Sequence, residues 1–192
     1  GAWAVVLDPK TSEVLAISSQ PDFDLNYPAS ASNSRRRNRA LTDVYEPGST
    51  MKTIFMASAM KAGVIEPNTM VDTSEGKIEI NGRTISESDD NHHFKRLSAT
   101  EILAYSSNVG VSKLALKMED QQIFETMRDF GFGEKVGLDV LGESRGLLVD
   151  PPWRDHLKAN ISGCHGGAVT ALQVANAYAS IANGGVLNRP YI

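Results

Sequence analysis

Two short stretches of the sequence hold residues whose types and spacing could do chemistry. The first is YEPGSTMKTIF, residues 45–55, in which Lys52 follows Ser49 by three positions. If a helix begins at Ser49, the two side chains share a face and the amine can reach the hydroxyl. Free backbone N–H groups and the positive dipole end at such a terminus favour negative charge on the serine oxygen. A lysine desolvated in a helix loses its preference for the charged form and can accept the serine's proton. Ser49 then reads as a nucleophile and Lys52 as its general base. A serine that only caps the helix, beside a surface lysine, is the competing reading.

Ser-x-x-Lys recurs at Ser58/Lys61 and at Ser74/Lys77, so the spacing alone is weak. Ser58 and Lys61 fall late in the same helix, where the negative dipole end opposes an oxyanion. Ser74 and Lys77 fall in a polar turn entering a strand, with no helix to align them. The second stretch, AYSSNVG, adds Ser106 and Asn108 at the expected end of another helix. A hydroxyl there can relay a proton, and an amide can hold a carbonyl or the lysine. A polar helix terminus is the bland alternative.

The elements that must position these residues are marked by their own signals. Alternating Trp3, Val5 and Leu7, polar Asp8 to Ser12, and Val14 to Ile17 predict two strands joined by a turn. Residues 24–44 read as loop. A helix is expected from Ser49 to about Ala62, buried on more than one side through Met51, Ile54, Phe55, Ala59 and Met60, with Gly63 as its stop. KIEINGRTIS reads as a hairpin turning at Asn81-Gly82. Ser98 to Glu101 and Thr170 to Gln173 each fit a capping box, the second opening a helix through Ala182 that stops at Gly184-Gly185. Asp120 is expected to cap a helix presenting Ile123, Phe124, Met127 and Phe130 and ended by Gly131.

The chain has 192 residues, 41% hydrophobic and 22% charged, which suits one globular domain with a core. A net charge of -4 gives no reason to expect nucleic acid as a partner. The run Arg35, Arg36, Arg37 and Arg39 has no interleaved aromatics, so it reads as a solvated loop rather than an anion-binding surface. One cysteine, Cys164, excludes an internal disulfide. The Cys164-His165 neighbours read as a small, partly buried cysteine rather than a nucleophilic pair. His92-His93 beside Asp89-Asp90 reads as a polar loop rather than a metal site. No stretch approaches the ~20 apolar residues a membrane span needs. The chain is therefore expected to be cytosolic or the excised soluble part of an anchored protein. Two N-terminal strands make a poor sheet alone, and nothing after residue 185 looks long enough to complete one, so the chain reads as cut short.

Ser49-x-x-Lys52 and Ser106-x-Asn108, each at a helix end, resemble the motifs of the penicillin-binding proteins and serine β-lactamases. More narrowly, the sequence resembles the transpeptidase domain of a class B penicillin-binding protein of the cell-division (FtsI) type. VVLDPKTSEVLAISSQPDFDLN resembles that family's opening strand pair and NRALTDVYEPGSTMK its nucleophile segment. LAYSSNVGVSKLAL resembles its second motif, GESRGLL its linker, and VTALQVANAYASIANGG the helix before its third motif. The resemblance implies an α/β fold of α+β type, an antiparallel sheet with a large helical region, the sheet incomplete here. Residues 1–192 would be a partial transpeptidase domain, with strands in 1–20, the nucleophile helix in 49–63, and a mostly helical 64–192 with a hairpin near 77–86.

By the same resemblance Ser49 is the acylated nucleophile, Lys52 its base, Ser106 the proton relay and Asn108 a contact to the substrate amide. The implied substrate is the D-alanyl-D-alanine end of a peptidoglycan stem peptide, with β-lactams as mimics. No cofactor and no metal are implied. The implied partners are a cell-division glycosyltransferase and divisome proteins, in the bacterial envelope on the periplasmic or extracytoplasmic face of the inner membrane, with the membrane reached only through an anchor absent from this chain. Two departures stand out. The family's Lys-Thr/Ser-Gly motif has no counterpart, since KTS at Lys10 and KAG at Lys61 are misplaced, and SGCHGG replaces a Gly-x-Gly turn. Losing one oxyanion donor costs on the order of 10²–10³ in rate, so the chain by itself is expected to be weak or inactive. A β-lactam-binding sensor, and a D,D-carboxypeptidase or β-lactamase, are the alternatives.

Overall fold

The computed structural model describes residues 1–89, 94–163 and 167–192. The chain divides into two compact units, one formed by Gly1–Tyr45, Asp129–Leu148 and Ala168–Ile192, the other by Glu46–Arg128 and Val149–Gly167.

In the first unit, β1 (Ala2–Leu7) pairs antiparallel with β2 (Val14–Gln20), Val5 facing Ile17. The turn between them closes because Asp8 Oδ1 accepts from the backbone N–H of Lys10 (2.7 Å) and Thr11 (3.2 Å). The alternating apolar residues Val5, Leu7, Val14 and Ile17 pack on buried Leu41, Leu138 and Leu172. Leu41 belongs to a short helix, α1 (Arg39–Thr42), inside the stretch expected to be loop. Two of the arginines there are not simply solvated, since Arg37 and Arg39 both bind the Asp43 carboxylate. Beyond β2, Tyr191 makes a parallel bridge to Glu13.

The second unit opens with α2 (Met51–Lys61), in which Ile54 and Phe55 are fully buried. Each such side chain contributes about 1.5–3 kcal/mol. Met60, expected inside, is 52% exposed. Gly63, at φ +69°, ends the helix as the sequence predicts: its N–H donates to Met60 O and the Val64 N–H to Ala59 O. Strand β3 (Met70–Asp72) pairs with β6 (Arg96–Ser98), and β4 (Lys77–Ile80) with β5 (Arg83–Ser86) across the Asn81-Gly82 turn, both at positive φ.

Helix α3 (Ala99–Ala104) starts from the Ser98/Glu101 capping box, both halves of which are formed. It is followed at once by α4 (Asn108–Ala115), a helix that the sequence reading did not place. Val109, Gly110 and Val111 are poor helix formers, and burial on several sides sustains them instead. Helix α5 (Asp120–Asp129) buries Ile123 and Met127 as expected. Asp120, however, lies inside the helix and does not cap it: its carboxylate accepts from the Trp153 N–H (2.6 Å) and pairs with Lys158 (2.6 Å) of α6 (Asp155–Gly163), also unplaced by the sequence reading. In the first unit, α7 (Ala171–Ala182) starts from the Thr170/Gln173 capping box and ends before Gly184, as expected.

Gly110 is where α3 and α4 meet. A methyl group built on it would lie 2.7 Å from Ile102 Cγ1 and 2.8 Å from Ile102 Cδ1, and Ile102 is fully buried. Gly110→Ala should therefore cost about 1–3 kcal/mol, seen as a lower midpoint in urea unfolding. Burial alone pushes the Asp120 carboxyl up, but the Lys158 ammonium and the Trp153 N–H outweigh it and hold it below its ordinary value. A depressed carboxyl stabilises the fold above its unfolded value and loses that contribution as pH falls through the folded one. Wild-type stability should thus drop on acidification below about pH 4, and Asp120→Asn should flatten that part of the curve.

Candidate active site

The approach to α2 is a 3₁₀ turn, Gly48–Thr50, entered from Pro47. Ser49 sits in this turn, and the N-cap position of α2 falls to Thr50, whose hydroxyl donates back to Pro47 O (2.7 Å). No side-chain cap forms at either residue. The competing reading, in which Ser49 only caps the helix, is thus not what the structure shows. Its exposed hydroxyl instead accepts from Ser106 Oγ at 2.8 Å.

One turn on, Lys52 is 1% exposed, the largest fully buried side chain of the chain's described residues. Its Nζ donates to Ser106 O (2.5 Å), Ser106 Oγ (2.9 Å) and Asn108 Oδ1 (2.7 Å). An ammonium has three hydrogens, and these three acceptors match them.

Ser106 supplies two of the acceptors because of its backbone. Its φ is +55°, the left-handed region, and its N–H donates to Leu103 O while the Ser107 N–H donates to Ile102 O. This is the C′ position of a helix-ending motif that glycine usually fills. A serine there costs roughly 1–2 kcal/mol of backbone strain, but it turns both the carbonyl and the hydroxyl toward Lys52. Asn108 does not end α3, as the sequence suggested; it begins α4. Ser107 is the N-cap, accepting from the Gly110 N–H (2.9 Å).

The structure therefore gathers Ser49, Lys52, Ser106 and Asn108 into one hydrogen-bonded cluster within the second unit. It also shows groups that the sequence reading missed. Asn108 Nδ2 donates to Ser86 O (2.9 Å) and Ser88 Oγ (3.1 Å). Glu87, between them, accepts from Ser107 Oγ (2.5 Å) and the Asn108 N–H (2.6 Å). The polar run Ser86-Glu87-Ser88 after a clear hairpin was the available signal, but its target was the helix start that had not been placed. The other Ser-x-x-Lys pairs are not brought together. Ser58 donates to Gln122 O, and Ser74 is held by Lys113. Cys164 and His165 lie outside the described residues, as do Asp90, His92 and His93. Among the described residues, no group of three or more His, Cys, Asp and Glu could hold a metal ion, and no helix is long and apolar enough to cross a membrane.

The chain belongs to the penicillin-binding protein transpeptidase family: the family model for the penicillin binding protein transpeptidase domain matches residues 2–192. The α+β fold is that of solved relatives. One is a structure described as a peptidoglycan glycosyltransferase from Burkholderia ambifaria, with a TM-score of 0.85 and 30% identity over 98% of this chain and 55% of that one. Another is the apo transpeptidase domain of Burkholderia pseudomallei penicillin-binding protein 3, with a TM-score of 0.84 and 30% identity over 98% of this chain and 52% of that one.

Its relatives place it in class B. It is 38% identical over 184 residues to the peptidoglycan D,D-transpeptidase FtsI of Escherichia coli K12, covering 95% of this chain and 30% of the relative. It is 36% identical over 184 residues to the probable peptidoglycan D,D-transpeptidase PenA of Neisseria gonorrhoeae, covering 95% of this chain and 31% of that relative. The chain thus spans under a third of the length of these relatives.

The strain at Ser106 is separable from its hydrogen bonds. Ser106→Gly and Ser106→Ala both delete the hydroxyl, but only glycine relaxes the backbone at φ +55°. Thermal unfolding should show the glycine variant more stable than the alanine variant by about 1–2 kcal/mol. Equal stabilities would mean that the left-handed residue carries no strain.

Proposed function

We propose that residues 1–192 are part of the transpeptidase domain of a serine D,D-transpeptidase that cross-links peptidoglycan stem peptides, and that they carry its acylating residues. The observation that supports this most is the unbroken path from Ser49 Oγ through Ser106 Oγ to Lys52 Nζ, with steps of 2.8 and 2.9 Å. In the state described, Lys52 donates to Ser106 and Ser106 donates to Ser49. With Lys52 neutral, both bonds reverse: Ser49 donates to Ser106, and Ser106 donates to the amine lone pair.

As Ser49 Oγ bonds to the penultimate D-alanine carbonyl carbon, its proton passes to Ser106 and the Ser106 proton to Lys52. Collapse of the tetrahedral adduct breaks the peptide C–N bond. The proton held on Lys52 returns through Ser106 to the departing D-alanine amine. An amine of a neighbouring stem then attacks the ester; as its C–N bond forms and the C–O bond to Ser49 breaks, the proton that this amine sheds passes by way of Lys52 and Ser106 to Ser49 Oγ. Asn108 would hold Lys52 through Oδ1. For its amide N–H to meet the substrate, it would release Ser88 Oγ, the longer of its two acceptors.

The similarity to FtsI supports a role in septal wall synthesis in the cell envelope, with a cell-division glycosyltransferase and divisome proteins as partners. It also supports β-lactams as acylating mimics of the D-alanyl-D-alanine end. The Lys-Thr/Ser-Gly motif is absent from the 192 residues, so the chain by itself should acylate slowly.

Fluorescent penicillin and intact-mass measurement test this reading. Wild type should gain one penicilloyl group. Ser49→Ala should gain none, and Lys52→Ala should label on the order of 10²–10⁴ times more slowly. Label that persists in Ser49→Ala would overturn the assignment of the nucleophile.

A further inference from the structure

We propose that Glu87 is a positioning residue of this site, one that fixes Asn108 and through it the Lys52 amine; the catalytic part of the proposal rests on the transpeptidase reading above. Glu87 follows β5, and its own N–H donates to Gly76 O (3.0 Å), tying the end of the hairpin to the turn that begins it. Its two carboxylate oxygens are divided between consecutive residues. Oε1 takes the Ser107 hydroxyl at 2.5 Å, and Oε2 takes the Asn108 N–H at 2.6 Å.

Both partners lie at the N-terminus of α4, where backbone N–H groups have no helical acceptor and the dipole favours an anion. The Ser107 hydroxyl accepts from the Gly110 N–H, and the Asn108 N–H goes to Glu87 instead. The Ser107 hydroxyl hydrogen goes to the same carboxylate. Ser107 is 2% exposed, while Glu87 and Asn108 are half-buried, so the carboxylate is partly screened from solvent.

The consequence for the site lies in the Asn108 amide. Its Nδ2 is gripped by Ser86 O and Ser88 Oγ, the neighbours of Glu87 on either side. Three successive residues of one segment thus hold both the backbone and the side chain of Asn108. With the NH₂ group turned to that segment, Oδ1 points the other way, onto Lys52 Nζ at 2.7 Å. If the segment lets go, the amide is free to rotate, and the amine loses the Asn108 Oδ1 acceptor. Glu87 touches neither Ser49 nor Lys52 in any hydrogen bond described; it acts through Asn108.

Glu87→Gln is the informative change. It keeps the volume but replaces one acceptor oxygen with an NH₂ group, which cannot accept from both Ser107 and Asn108. Glu87→Asp keeps the carboxylate on a shorter arm. Three measurements decide. In a crystal structure of E87Q, the Lys52 Nζ to Asn108 Oδ1 distance should lengthen beyond hydrogen-bond range. In acylation by fluorescent penicillin, E87Q should lower the rate constant at saturation by on the order of 10–100-fold, with the half-saturating concentration unchanged within about twofold. E87D should recover most of that rate, which a loss of general stability would not predict.

An unchanged Lys52–Asn108 distance in E87Q overturns the positioning claim. So does wild-type acylation in E87Q, or a rate loss that E87D fails to recover. A wild-type chain that takes no label overturns instead the claim that these 192 residues acylate by themselves, and leaves the family membership standing. In that case the E87Q structure still decides whether Glu87 positions Asn108, so the two failures are told apart.

Discussion

Everything at the site follows from burying one primary amine. Lys52 is 1% exposed on a helix that also buries Met51, Ile54, Phe55 and Met56, and an ammonium taken from water costs several kcal/mol unless its hydrogens are received. Ser106 and Asn108, only two positions apart, offer it three acceptors. One is reached through a backbone carbonyl and a hydroxyl, the other through a side-chain amide. A regular helix through residues 104–108 could not do this, because its carbonyls would point along the axis to its own N–H groups. The chain has to leave α3, turn once in the left-handed region and start α4 at once. The tight junction at Ser106 and Ser107 is therefore a requirement of the lysine.

That requirement propagates outward. Two short helices separated by three residues must pack at close range, and Gly110 permits it where any side chain would meet Ile102. The start of α4 presents N–H groups in a partly buried setting, and Ser107 with Glu87 answers them. The anchoring of Glu87 in turn depends on the hairpin β4–β5, whose turn is set by Asn81 and Gly82. A turn dipeptide more than twenty positions away in sequence thus bears on the orientation of one amide.

How much of this was legible in the sequence depended on whether a signal was local. The Ser98 and Thr170 capping boxes, the Asn81-Gly82 hairpin and the Gly63 stop are short-range devices, and each formed as its residues dictate. Ser49, Lys52, Ser106 and Asn108 were legible as a set through motif spacing, and their mutual hydrogen bonds make that spacing intelligible. Helix α4 was not legible, because Val109, Gly110 and Val111 argue against a helix and only packing overrides them. Asp120 looked like a cap because aspartate at a helix start usually is one; here Trp153 and Lys158, more than thirty positions away, compete for its oxygens. Glu87 was missed for the same reason. A carboxylate in a polar run gives no hint of a distant helix terminus.

Ser106, one of five described non-glycine residues at positive φ, is also the one at the centre of the proposed relay. Ser106 stands at φ +55°, where glycine would be less strained, and the helix end would form as well with glycine. What glycine could not provide is an oxygen 2.9 Å from Lys52 and 2.8 Å from Ser49. Ser49 is exposed and Lys52 is buried, so the hydroxyl that joins them has to stand at the boundary between water and core. A direct serine–lysine contact would bring the amine toward solvent or draw the nucleophile inward. With Ser106 interposed, the proposed nucleophile Ser49 can face a substrate while Lys52, its proposed base, stays within a fixed, part-buried set of acceptors, and on that reading a proton can travel between them without either side chain moving far.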